Sequence, residues 1–221
     1  ELTPASLGLP AKFNEFRPAQ LQALQQLARL QQELTAYTRQ RRTLSHRLQK
    51  FIRGYSVESQ DAPQGLYLWG GVGRGKTWLM DMFYDTLDIE TPQGKNKIRL
   101  HFHHFMRSIH DQLSLIGEHK DALKHIARSF ADKHQLLCLD EFHVSDISDA
   151  MLLYGLLHHL FTQGVVIVAT SNLPPDELYK NGLQRERFLP AIELIKQHMI
   201  TEGLPGKTDH RLRLLEQTDS W

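Results

Sequence analysis

The chain has 221 residues, 41% hydrophobic and 23% charged, a balance that supports a full core and excludes a disordered chain. Its net charge of +1 supplies no global field for nucleic acid or anionic lipid, so either partner would need a local patch. No apolar run approaches the roughly 18 residues of a membrane-spanning helix, and no signal-peptide pattern opens the chain.

Residues 1–17 contain Pro4, Gly8 and Pro10 and read as an irregular lead-in, beginning at Glu1 as a piece of a longer protein would. From Pro18, a good first helical residue, Leu21, Leu24, Leu27, Leu30 and Leu34 recur on one helical face. Leu44, Leu48 and Phe51 continue the periodicity, so one long helix or two shorter ones fill 18–53. Residues 54–64, with Asp61-Ala62-Pro63, form a linker.

Beyond the linker the pattern alternates. Strands are predicted at 66–69, 97–103, 136–140 and 165–170, and helices at 75–87, 105–116, 119–133, 147–163 and 186–199. Apolar strands separated by amphipathic helices imply parallel βαβ units, an α/β fold with the sheet covered on both faces. The division expected is a helical N-terminal extension and linker over 1–64, a nucleotide-binding core over 65–200, and a short segment over 201–221. Cys138 is the only cysteine and lies in an apolar run, which excludes a disulfide framework and points to a reducing, cytosolic setting.

The chemistry concentrates after the first of these strands. Gly70-Gly71-Val72-Gly73-Arg74-Gly75-Lys76-Thr77 matches G-x-x-x-x-G-K-[ST] between a strand and a helix. Glycines there let consecutive backbone N–H groups converge on phosphate oxygens, and the helix N-terminus adds partial positive charge. Lys76 would reach the β- and γ-phosphates and Thr77 would hold Mg²⁺, so ATP with Mg²⁺ is the ligand expected. The binding stretch runs from Gly70 through Trp78, although the indoles of Trp69 and Trp78 read as core and not as adenine platforms. GTP is disfavoured because no N-K-x-D tetrad is present; Asn96-Lys97-Ile98-Arg99 lacks the aspartate.

Two further features fall at later strand ends, and a third opens a helix. "LLCLDEF" closes on Asp140, expected to support the metal, and Glu141, expected to polarise the attacking water as general base. "VVIVATSN" delivers Asn172, which either orients that water or opens the turn at Leu173-Pro174-Pro175. In "NGLQRERFLPAI", Arg185 and Arg187 form either a solvated pair at a helix start or a guanidinium for a neighbour's γ-phosphate, with Arg185 preferred.

The run "GLYLWGGVGRGKTWLMDMFYDTL…HFHHFM…LLCLDEFHVSDISDAMLL…GVVIVATSNLPPDELYKNGLQRERFLPAIELI" closely resembles the ZapE family of bacterial cell-division ATPases and their mitochondrial relatives, within the AAA+ class. The resemblance covers about 65–198. It implies the Walker A role for Lys76 and Thr77, Walker B for Asp140 and Glu141, sensor 1 for Asn172, and a trans-acting arginine finger at Arg185 or Arg187. It also implies ATP-driven action on FtsZ or other divisome proteins, or mitochondrial quality control, in a cytoplasmic protein near the division site. Family members continue past "DHRLRLL" into a helical lid, so 201–221 reads as a truncated C-terminal segment without a complete lid. The expectation is a homo-oligomer at full length and mostly monomer for this chain.

Weaker signals have plainer readings. "HFHHFM" puts His101 and His103 on one strand face, with His104 beside them, but no further donor lies at zinc-ligand spacing. Phe105-Met106 sits where AAA+ proteins grip polypeptide, yet reads better as an apolar pair packing a helix. Arg39, Arg41, Arg42, Arg47, Lys50 and Arg53 form a basic run without interleaved aromatics. It reads as a solvated face or as a contact for an acidic partner, anionic lipid at a peripheral membrane site, or nucleic acid, without specific nucleic-acid recognition. Two other classes compete with the remodelling ATPase: a small-molecule kinase, which would need an acceptor, and a nucleotide-gated adaptor with negligible turnover.

Overall fold

A computed structural model describes residues 18–42, 62–89, 96–117 and 121–204. Five strands, β1 (Gly65–Trp69), β2 (Lys97–His101), β3 (Leu136–Asp140), β4 (Val166–Ser171) and β5 (Met199–Gly203), form one sheet in the order β2-β3-β4-β1-β5. Every pairing is parallel, with Leu66 opposite Val168 and Ile200, and Leu139 opposite Ala169. β3 and β4 are buried at every position, which is why each reads as an unbroken apolar run.

Side chains alternate between two apolar layers. On one face α1 (Pro18–Arg42) and α2 (Lys76–Thr86) bring Leu27, Leu30, Met80 and Phe83 onto Leu66, Leu68, Val166 and Val168. On the other face lie α3 (Phe102–Ile116), α4 (Ala122–Lys133), α5 (Ile147–Thr162) and α6 (Arg185–His198). They seat Phe105, Ile126, Leu156 and Ile192 against Tyr67, Leu139 and Ile167. This is an α/β sandwich with its parallel sheet covered on both faces. Among the described residues no helix is long and apolar enough to cross a membrane.

The leucine stripe of α1 therefore closes one layer of the core. Leu30 and Leu34 have no exposed surface. Leu30→Ala is expected to cost about 2–5 kcal/mol, measured by urea denaturation. A cost near zero would mean that α1 is a detachable appendage.

Two element boundaries differ from the sequence reading. β2 stops at His101 and α3 starts at Phe102, so His101 and His103 do not share a strand face. The helical period Phe102, Phe105, Met106, Ile109 is what buries apolar surface here, and it overrides the strand extension. Phe105 and Met106 are core residues at 3% and 1% exposure, which rules out a polypeptide grip for them. At the other end α6 stops at His198, and Met199 to Gly203 add a fifth strand beside β1, across the boundary expected at 200. Of the basic run only Arg39 belongs to the residues whose side chains are described; the others, and the segment beyond Leu204 where a lid would begin, lie outside them.

Candidate nucleotide site

The glycine loop leaves β1 beside the end of β4, where the Gly70 N–H donates to Ser171 O at 3.1 Å. Gly70 has φ +154, and a Cβ there would fall 2.5 Å from Leu204 O, so no side chain fits. Gly75, at φ +84, turns the chain into α2 in a conformation that L-residues rarely adopt. It supplies no side-chain cap, so the leading N–H groups of α2 face out of the helix, the arrangement that suits an anion.

Lys76 Nζ donates to Gly70 O at 2.5 Å and Gly71 O at 2.8 Å, folding its cation over the loop. Burial, helped by the neighbouring Arg74 charge, holds the Lys76 ammonium below its ordinary range. The first turn of α1 reaches the same loop, with Gln20 Nε2 donating to Arg74 O at 3.2 Å. Thr77 and Trp78 follow on the exposed side of the first α2 turn; Trp78, 38% exposed, is not the core residue expected.

β3 ends on Asp140, 8% exposed, and the next residue turns sharply outward. Glu141 has φ +56, left-handed backbone at a non-glycine residue, and its side chain is 77% exposed. Such a conformation costs about 1–3 kcal/mol and persists only where its surroundings impose it. Here β4 imposes it. The Glu141 N–H donates to Thr170 Oγ1 at 3.1 Å, the Phe142 N–H donates to Thr170 O at 2.7 Å, and Ser171 Oγ donates to Phe142 O at 2.7 Å. Thr170 and Ser171 thus support the turn, in the very strand that delivers the exposed Asn172 to this edge.

Around that turn, His101 Nδ1 lies 3.9 Å from Glu141 Oε2. The rings of His103 and His104 stand 3.9 Å apart, and the His103 charge pushes the His104 imidazole down. Asp140 is bound by Arg99 of β2, from Nε to Oδ2 at 2.6 Å and from Nη2 to Oδ1 at 3.3 Å, while Arg99 Nη1 bonds Asp81 of α2.

The fold gathers Gly70 to Trp78, Asp140, Glu141 and Asn172 beyond the carboxyl ends of β1, β3 and β4, where open parallel sheets bind ligands. Arg185 and Arg187 stand apart at the start of α6. Arg185 Nη2 donates to Asp176 O at 2.7 Å and its Nε is buried without a partner, so Arg185 is tethered at home. Arg187 is exposed, with Nη1 on Gln184 Oε1 at 2.8 Å. For a magnesium ion, the Thr77 hydroxyl and the Asp140 carboxylate are hard oxygen donors of the fitting kind.

The family model for AFG1-like ATPases matches residues 11–221. This chain belongs to the AFG1-like ATPase family. Within curated proteins it is 55% identical over 158 residues to the Escherichia coli K12 "Cell division protein ZapE", a match spanning 72% of this chain and 41% of that protein. The Danio rerio "Lactation elevated protein 1 homolog B" is 41% identical over 162 residues, spanning 68% of this chain and 31% of that protein. The chain therefore aligns with less than half the length of these relatives. Among solved structures, that of DnaI aligns at TM-score 0.47 and 18% identity, over 72% of this chain and 78% of that one.

Proposed function

We propose that this chain is the core of a Mg²⁺-dependent ATPase of the ZapE type, which spends ATP on remodelling a protein target. One observation carries the reading: a phosphate-sized glycine loop opens α2 across the end of β4 from Glu141, whose strained backbone turn is held by three hydrogen bonds to Thr170 and Ser171 so that its carboxylate projects into solvent. Strain kept at a carboxylate next to such a loop suits a general base, and a plain surface turn has no need of it.

The loop N–H groups would cradle the phosphates, and Lys76 would leave the Gly70 and Gly71 carbonyls for the phosphate oxygens. Thr77 and Asp140 would hold Mg²⁺, which when bound neutralises charge on the β- and γ-oxygens. Glu141 would take the proton from the attacking water, and Asn172 would orient that water. In an oligomer, the exposed Arg187 is better placed than the tethered Arg185 to reach a neighbour's γ-phosphate. FtsZ or another division protein in the cytoplasm is the target we propose, from the likeness to ZapE.

Lys76→Ala is the decisive variant, because it removes the side-chain cation of the cradle. Calorimetry should show ATP affinity lost with the melting temperature unchanged, and undiminished binding would overturn the site. Phosphate release by the parent chain without any acceptor separates hydrolysis from a kinase reaction. ATP that stays intact until a metabolite is added would make the chain a kinase.

A further inference from the structure

Arg99 lies outside every motif of the sequence, yet two elements of the nucleotide site, α2 and the end of β3, meet on it. It sits in β2 opposite Cys138 of β3, on the sheet face covered by α2. Its guanidinium takes Asp140 side-on through two nitrogens and gives the third to Asp81. Asp81 lies one turn beyond Thr77 on α2, so both residues share one face of that helix. Arg99 is thus the rigid link between the helix that carries Thr77 and the strand end that carries Asp140. The Arg99 and Asp140 side chains are only 21% and 11% exposed, so water screens their pairing weakly.

Two consequences follow from the geometry. The fork holds one lone pair of each Asp140 oxygen and so fixes the plane of the carboxylate, leaving the remaining lone pairs for the metal site. Its positive charge, 2.6 Å from Oδ2, also opposes a second cation at Asp140. A free divalent ion is therefore disfavoured, while one arriving with triphosphate brings its own compensating charge. We propose that Arg99 is the positioning residue of the metal site, orienting Asp140 against Thr77 and making divalent-cation entry conditional on nucleotide. This rests on the reading of Asp140 as a metal-site carboxylate.

The test is a Mn²⁺ titration of the nucleotide-free 221-residue chain, followed by electron paramagnetic resonance. The parent chain should show weak binding. Arg99→Met should bind Mn²⁺ at least ~10-fold more tightly, because Asp140 and Asp81 lose their shared cation, and that ratio corresponds to about 1.4 kcal/mol. In the same variant ATP turnover should fall ~10–100-fold, the usual effect of losing a second-layer partner. A residue that only glued α2 to β3 would lower both quantities together. Arg99→Lys keeps the charge and loses the fork, so it should keep Mn²⁺ out without restoring the rate. Arg99→Met with Asp140→Asn should return Mn²⁺ affinity to the parent value, and if Arg99→Met melts, Arg99→Gln, which removes the charge and keeps a donor for Asp140, carries the same Mn²⁺ test. Unchanged or weaker Mn²⁺ binding in Arg99→Met, tight binding by the parent chain, or full turnover in Arg99→Lys would overturn the proposal. Binding of a fluorescent ATP analogue in the presence of Mg²⁺ reports on the nucleotide site separately. Its absence in the parent chain would sink the ATPase reading and leave the Mn²⁺ result to judge Arg99.

Discussion

Glu141→Gln is expected to slow ATP hydrolysis by roughly 10²–10⁴-fold, the usual contribution of a positioned general base, while ATP affinity stays close to that of the parent chain. The amide is nearly isosteric with the carboxylate and keeps the exposed position. The backbone that aims it is fixed from below by Thr170 and Phe142 and not by the side chain, so the turn should survive. What disappears is the proton acceptor. Single-turnover phosphate release, set beside the binding constant for a fluorescent ATP analogue, measures both quantities. A variant that hydrolyses at the parent rate would remove Glu141 from the chemistry and leave its strained backbone without a purpose. A variant that loses affinity as well as rate would mean that Glu141 helps to hold nucleotide.

The glycine loop and the Asp140-Glu141 pair were legible because each is a contiguous string whose chemistry depends on spacing along the chain. The order of strands and helices was legible for the same reason, since fully buried strands such as β3 and β4 leave unbroken apolar runs. What stayed hidden is what contacts make. β5 is five residues long and includes Thr201, Glu202 and Gly203, so no apolar run or alternation announces it. It becomes a strand because the edge of β1 is there to receive it. The left-handed backbone of Glu141 has no local signal either, because Thr170, 29 residues away, imposes it. Arg99 in "KIRLH" reads as the outward residue of a strand, and its partner Asp140 is 41 residues further on. The tether from Arg185 to Asp176 is likewise a contact that spacing along the chain does not reveal.

That tether makes the arginine the second large effect. Arg187→Ala is expected to leave ATP binding intact and to slow hydrolysis by up to roughly 10³–10⁵-fold, the arginine-finger scale, if active sites form between subunits. Guanidinium geometry suits charge spread over three phosphoryl oxygens, and Arg187 is exposed with only Gln184 of its own chain to release. Moving Arg185 would free Asp176 O and require its buried Nε to leave the protein. The discriminating experiment mixes inactive variants under conditions where sedimentation shows co-assembly. An Arg187→Ala subunit keeps its Glu141, and a Glu141→Gln subunit keeps its Arg187. Where the second lends its arginine to the nucleotide of the first, one interface regains every catalytic group, so the mixture should hydrolyse ATP although neither variant does alone. Arg185→Ala is run in the same way. Recovery with Arg185→Ala and none with Arg187→Ala would return the role to Arg185, with the Asp176 contact as a latch that opens on assembly. Silence from both mixtures at every ratio would show that no arginine of α6 acts across the interface, and that each subunit completes its own site.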